Sequence, residues 1–336
     1  MNYLKRGIRN VAVVMVLFIT TALQAQQRHE GLYPIKDKTG RYGFIDKTGK
    51  QIIPCQWNYA IEFNEGLACV QDRDHKWGFI DKTGKLVIPC TWEGVRNFSE
   101  GLACVMNGSK RWGFINKSGE LVIQCQWKDA WHFYEGFAPV MNENDKYGFI
   151  DKRGNNTIGC RWKSAMLFSD GLALVTDDKG KKSYIDKTGK VVIVCKWKDA
   201  ESFSEGCAVV MDEKGKHGFI DKTGKVIIPI TWDYAKSFSE GVARVDCSDG
   251  KSGFIDKTGR QVIACKWYFP GDFHEGLANV ITENGIGFID KTGRLVIPCK
   301  WAQAEDFYGE LSKVTDDKDR EYYINKTGKV VFTFDK

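Results

Sequence analysis

From Glu30 onward, apolar residues fall in short runs divided by polar or glycine-bearing stretches. Gly66-Leu67-Ala68-Cys69-Val70 is apolar, Gln71 to Lys76 is polar, and Trp77-Gly78-Phe79-Ile80 is aromatic and β-branched. Asp81-Lys82-Thr83-Gly84 then precedes Leu86-Val87-Ile88-Pro89. Runs this short, bounded by Gly, Asp and Asn, predict strands. No segment carries an apolar stripe of helical period over ten or more residues. The pattern predicts a three-stranded antiparallel meander, followed by a Trp-x-x-Ala-x-x-Phe connector. That connector could hold a helical turn or a fourth, irregular strand.

The meander recurs. Its Trp falls at Trp57, Trp92, Trp127, Trp162, Trp197, Trp232, Trp267 and Trp301, 35 residues apart six times and then 34. A Phe follows six residues later, from Phe63 to Phe307, and Glu-Gly-Leu or a close variant comes next. Nine units start near residues 30, 65, 100, 135, 170, 205, 240, 275 and 309, within one repeat domain over 26–336. A single unit has too few core side chains and two open edges, so neighbouring units must bury each other's apolar faces. The fold class is all-β. Propellers usually have four to eight blades and often close by sharing strands between the chain ends. Here there are nine units, and the ends supply whole strand triplets with nothing left to share. The expectation is therefore an open or superhelical array, with a closed propeller-like ring as the alternative.

The repeated Asp-Lys-Thr-Gly reads first as a turn. Its last residue is Gly in all nine units, and its first is Asp except at Asn116 and Asn325. Gly there suits a type I turn followed by a left-handed residue, and Asp or Asn can bond the backbone two residues on. Catalysis or metal binding would need the carboxylate charge, which Asn lacks. The second position is Lys in every unit: Lys47, Lys82, Lys117, Lys152, Lys187, Lys222, Lys257, Lys291 and Lys326. A turn does not require Lys. Stacked in register, these lysines would form a basic ridge that keeps edges soluble, or a comb for an anionic polymer or acidic protein. The opposite hairpin ends are variable and often acidic, as at Asp177-Asp178, Asp212-Glu213 and Asp316-Asp317.

The first 25 residues differ in kind. Lys5, Arg6 and Arg9 precede an apolar run, Val11 to Leu23, and Leu23-Gln24-Ala25 offers a cleavage point. This is the layout of a secretory signal peptide over 1–25, with membrane contact limited to export. Without its three charges, the net +6 of the 336-residue chain falls to +3. That is too mild for nucleic-acid binding by charge alone. Seven cysteines share one phase two residues before the Trp, from Cys55 to Cys299, and Ile230 fills the eighth copy, so the slot reads as apolar. Export would also allow pairing with Cys69, Cys104 or Cys207. The total of eleven is odd, and no CxxC pair suggests zinc. The five histidines occupy unrelated phases, with no Ser elbow and no nucleophile–base pair. No catalytic, cofactor or metal residues are assigned. The Trp row reads as inter-unit core, or as a stacking platform for sugars if exposed.

The pattern W/Y-G-F-I-D-K-x-G-K-x-V-I-P followed by W-x-x-A-x-x-F-x-E-G-L-A, seen at Trp77-Gly78 and Trp112-Gly113, resembles the WG-repeat family. The resemblance spans Glu30 to Lys336. Departures are local: Ser183-Tyr184 and Tyr322-Tyr323 replace Gly-Phe, and Gly309-Glu310 inverts Glu-Gly. The resemblance implies a bacterial β-repeat interaction scaffold, with no activity to transfer. The expectation is an exported, non-enzymatic scaffold in the periplasm, on the cell surface or secreted, binding a protein partner through its variable hairpin ends and connectors. The alternative is a cell-envelope module for glycans or anionic polysaccharide.

Overall fold

A computed structural model describes residues 30–247 and 250–334; the proposed signal segment lies outside them. They form nine antiparallel sheets in tandem and no helix. The second sheet shows the plan: Leu67–Gln71, Trp77–Asp81 and Leu86–Trp92 are the three predicted strands. The connector adds a short fourth strand, Tyr59–Ala60, on the edge of Leu67–Gln71. The first sheet, Leu32–Lys36, Tyr42–Asp46 and Gln51–Trp57, lacks that strand. In the eighth, a lone bridge between Tyr268 and Ile281 stands in for it. Each sheet is called a blade below and numbered in chain order.

The turn forms as its residues require. Thr83 N and Lys85 N donate to Asp81 Oδ1 at 2.9 and 3.1 Å, and the Thr83 hydroxyl donates to the same atom at 2.6 Å. Gly84 takes φ +86°, where a side chain would be strained. Asn116 accepts from Ser118 N and Glu120 N at 3.1 and 3.0 Å, so the amide oxygen replaces the carboxylate without loss of geometry. The opposite hairpins use the same device: Asp74 N and Lys76 N donate to Asp72 Oδ1. The acidic residues that open those hairpins, such as Asp177 and Asp212, are therefore turn residues as well.

The Trp-Gly pair marks a wide bulge. Trp77 lies opposite Trp92 and Phe79 opposite Ile88, so four steps on the outer strand face two on its neighbour. The outer strand bows against Gly78, where a Cβ would stand 2.4 Å from Ile88 O and 2.8 Å from Cys90 N. Blades five and nine carry Ser183 and Tyr322 at this position. There the outer strand ends early, at Val194 and Thr333, without the bowed segment.

Neighbouring blades share cores. Phe79 of blade two meets Phe98 of blade three with ring centroids 4.9 Å apart, both fully buried beside Leu67, Ile88, Val105 and Ile115. The same ring pair recurs at Phe114–Phe133, Phe149–Phe168 and Phe219–Phe238. Each buried Phe contributes about 1.5–3 kcal/mol, enough for the seam to hold blades that are not stable singly.

The last blade packs on the first, so the array closes into a nine-blade propeller ring. Tyr33 and Ile35 of blade one share a core with Leu311 and Tyr323 of blade nine. Glu310 N donates to Tyr33 Oη at 2.8 Å, and Tyr323 Oη donates to Pro34 O at 2.9 Å. Phe334 stacks on Tyr323 at 5.3 Å and stands where a connector Phe stands in other seams. The preferred expectation of an open array is thus corrected in favour of its alternative. Strands are indeed not shared, but a side-chain seam closes the ring without sharing.

Candidate functional site: the ring channel

The nine lysines lie on one face, and the structure gives most of them a partner. In the commonest arrangement, the Glu of one blade reaches the next. Glu65 accepts from Gly101 N at 2.9 Å and pairs with Lys117 Nζ at 3.3 Å. The same clamp joins Lys82 to Glu30, Lys152 to Glu100, Lys187 to Glu135, Lys257 to Glu205, Lys291 to Glu240 and Lys326 to Glu275. Glu65, Glu100, Glu135, Glu205, Glu240 and Glu275 sit at positive φ, so the backbone aims the carboxylate across the seam. Lys222 faces a unit whose residue is the shorter Asp170, which accepts from Gly206 N. Among the described residues no carboxylate lies within ion-pair distance of Lys222 or Lys47. The ridge therefore carries its own counter-charge over most of the ring.

The other repeated residues also point into structure. The phase cysteines of blades one to four, together with Cys299, are half-buried. Burial pushes the Cys90 thiol up to about 11, beyond the reactive range. Cys265 of blade seven is different: it forms a disulfide with Cys247, the residue at the hairpin position held by Asp72 in blade two. None of the partners expected from sequence, Cys69, Cys104 or Cys207, is paired. The Trp row is neither deep core nor open platform. Trp162 and Trp301 are buried, the others half-buried, and each packs against a seam. The histidines stay scattered. Burial beside the Arg96 charge pushes His132 down to about 4, keeping it neutral at physiological pH.

What the repeat does not fix lies in the connectors. The fourth and fifth residues after each Trp are Ile61-Glu62, Arg96-Asn97, Trp131-His132, Met166-Leu167, Glu201-Ser202, Lys236-Ser237, Gly271-Asp272 and Glu305-Asp306. No two pairs are alike. The short inner strands bring them towards the ring centre, where a cavity of about 560 Å3 opens between the connectors of blades four to eight. Met166 and Leu167 line one side of it, and Glu201, Ser237, Lys236 and Asp272 another. Beyond the cavity, Arg96 lies 4.1 Å over the Trp131 ring and pairs with Asp129 at 3.2 Å.

Glu201 and Glu305 are exposed and Asp306 half-buried, yet all three are encircled by protein. Burial pushes the carboxyls of Glu201, Glu305 and Asp306 above the usual range, even though the Ser237 hydroxyl, Lys313 and His274 respectively oppose the shift. Glu201 still accepts from Ser237 Oγ at 2.9 Å and Asp306 from Asn279 Nδ2 at 2.7 Å, each across a seam. The sequence pointed to the variable hairpin ends and connectors as a class but singled out none of these residues, because what recurs draws the eye from what varies. The available signal was the absence of repetition at two positions inside an otherwise regular unit.

The family model described as WG containing repeat matches residues 42–74, 77–110, 112–147, 147–181, 183–216, 218–251, 253–285 and 286–318. No curated protein matches the chain. Among solved structures, the computationally designed Ika8 protein is 12% identical over 79% of this chain and 95% of its own, with a TM-score of 0.45. BamB from Moraxella catarrhalis is 13% identical over 71% and 84%, TM-score 0.45. Dihydro-heme d1 dehydrogenase NirN, in complex with DHE, is 13% identical over 92% and 79%, TM-score 0.47. At such scores these likenesses carry no functional inference.

Proposed function

The chain belongs to the WG-repeat family, and on that premise we propose that it is a non-enzymatic scaffold that binds a partner protein through its channel lining. One observation carries the reading. Turn, bulge, seam and clamp recur from blade to blade, whereas the paired connector residues at the channel differ in every copy. Positions that vary while the frame around them recurs are where a scaffold can hold specificity. Seven of the nine recurring lysines are clamped by glutamate, a structural task that accounts for them.

Export is part of the proposal. The basic-then-apolar segment ending at Ala25 supports it. The Cys247–Cys265 disulfide fits an oxidising compartment. N-terminal sequencing of the protein from its native host should begin at Gln26; an N-terminus that retains residues 1–25 contradicts export by cleavage.

The test of the scaffold reading is affinity capture from envelope extracts with three baits. These are the native chain, a variant with Met166, Leu167, Glu201 and Lys236 replaced by Ser, and a variant with Lys82, Lys117, Lys152 and Lys187 replaced by Gln. A protein held by the native chain should be lost from the first variant and kept by the second. The reverse result, or an anionic polysaccharide retained only by baits with intact turn lysines, moves the site to the lysine face.

A further inference from the structure

The cavity between blades four and eight has a lining of opposed character. Met166 and Leu167 of blade five supply an apolar wall, and Glu201 of blade six stands at its side. Its other carboxylates are already paired: Asp199 with Lys182, Glu205 with Lys257 at 3.1 Å, and Asp272 with Lys236 at 3.1 Å. Glu201 accepts one hydrogen bond, from Ser237 Oγ at 2.9 Å. Among the described residues no cation lies within ion-pair distance of it. The adjacent Lys236 is committed to Asp272.

A carboxylate fixed by a hydroxyl, unpaired, and beside a thioether and an isobutyl group suits a ligand with a cation on an apolar stem. The charge balance agrees. The connector pairs carry five acidic residues against two basic ones, although the chain as a whole is +6. The volume, about 560 Å3, accommodates a long side chain with its neighbours but not a folded domain. We propose that this cavity receives a lysine or arginine side chain projecting from a partner protein, with Glu201 taking the cation and Met166 and Leu167 covering its methylenes. The proposal rests on the scaffold reading and names the chemistry of the partner's contact.

The cation supplies what the free cavity lacks. Encirclement by protein holds the Glu201 carboxyl above its usual range, and an incoming ammonium or guanidinium group restores the charged form. Binding should therefore strengthen as pH rises through the carboxyl range, releasing a proton from Glu201.

The test uses the whole mature chain and a labelled peptide, acetyl-Gly-Leu-Lys-Leu-Gly-amide, with versions carrying Nε-acetyl-lysine or glutamate in place of lysine. Fluorescence anisotropy should show the lysine peptide binding at least about tenfold tighter than the acetylated one, the scale of one charge-assisted contact. Glu201→Gln should abolish that preference and flatten the pH dependence. Lys82→Gln should leave both unchanged. The proposal is overturned if the acetylated or glutamate peptide binds as well, if Glu201→Gln keeps the preference, or if the lysine peptide does not bind at millimolar concentration. Thermal melts exclude misfolding, because Glu201→Gln relieves a disfavoured charge and should not lower the midpoint. If the peptides fail while the serine connector variant still loses its captured protein, the cation assignment falls and the scaffold reading stands. If that variant keeps its protein, the scaffold reading falls.

Discussion

At the residue scale, two letters of the repeat have defined structural tasks. Gly113 lies under the bowed outer strand of blade three, where a Cβ would stand 2.5 Å from Ile123 O and 2.8 Å from Cys125 N. Backbone cannot yield there as a side chain can. Gly113→Ala should cost about 1–3 kcal/mol by overpacking, read in urea unfolding; a change within about 0.5 kcal/mol would dismiss the bulge account. The turn aspartates set the acid limit. Thr hydroxyls, helped by backbone N–H groups, lower the carboxyls of Asp46, Asp81, Asp186, Asp221, Asp256 and Asp290. Their folded values lie below the unfolded one, so their contribution is complete above about pH 4 and lost as pH falls through the folded values. Melting midpoints should fall below about pH 4. Replacing these aspartates with Asn, as nature does at Asn116, should flatten that fall, and an unchanged acid profile would contradict the assignment.

At the element scale, the three long strands of each unit were legible because their apolar runs are short and punctuated by fixed turns. The two-residue inner strand was legible only as one of two alternatives, beside a helical turn. Tyr59–Ala60 is held by backbone pairing to Gln71 and Val70 and by burial of the adjacent Phe63, a tertiary effect with no local periodicity. The lysine row was visible as a pattern but its partner was not, since Glu65 and Lys117 are neighbours only after blade three docks on blade two. The channel site was the least legible part, for its residues share position without sharing type. The Cys247–Cys265 bond ties the blade-seven hairpin to its outer strand across 18 residues. Cys247→Ala with Cys265→Ala should lower stability by about 3 kcal/mol if the loop-entropy account holds. Equal midpoints for the native and double-alanine chains, with thiol assays confirming the oxidised state of the former, would remove its structural role.

At the scale of the whole molecule, closure decides whether a channel exists at all. The pattern of units allowed both an open and a closed form, because nearest-neighbour seams look alike in either. What tips the balance lies at the chain ends: Tyr33 in place of the usual Ala, Tyr323 in place of Phe, and Phe334 in the slot of the missing connector Phe. Phe334→Ala should loosen the closing seam and cost up to about 3 kcal/mol, with hydrogen exchange accelerating first in Leu32–Lys36 and Leu311–Thr315 rather than in a mid-ring blade such as the fifth. The most direct test of the ring measures the distance between spin labels on Lys38 and Asp317, exposed hairpin positions of blades one and nine. In the closed ring that distance matches the one between labels on Lys38 and Arg73, which lie on neighbouring blades. Sheets pack about 10 Å apart, so an open stack would separate the end labels by roughly 80 Å over eight steps, and that result would contradict the ring.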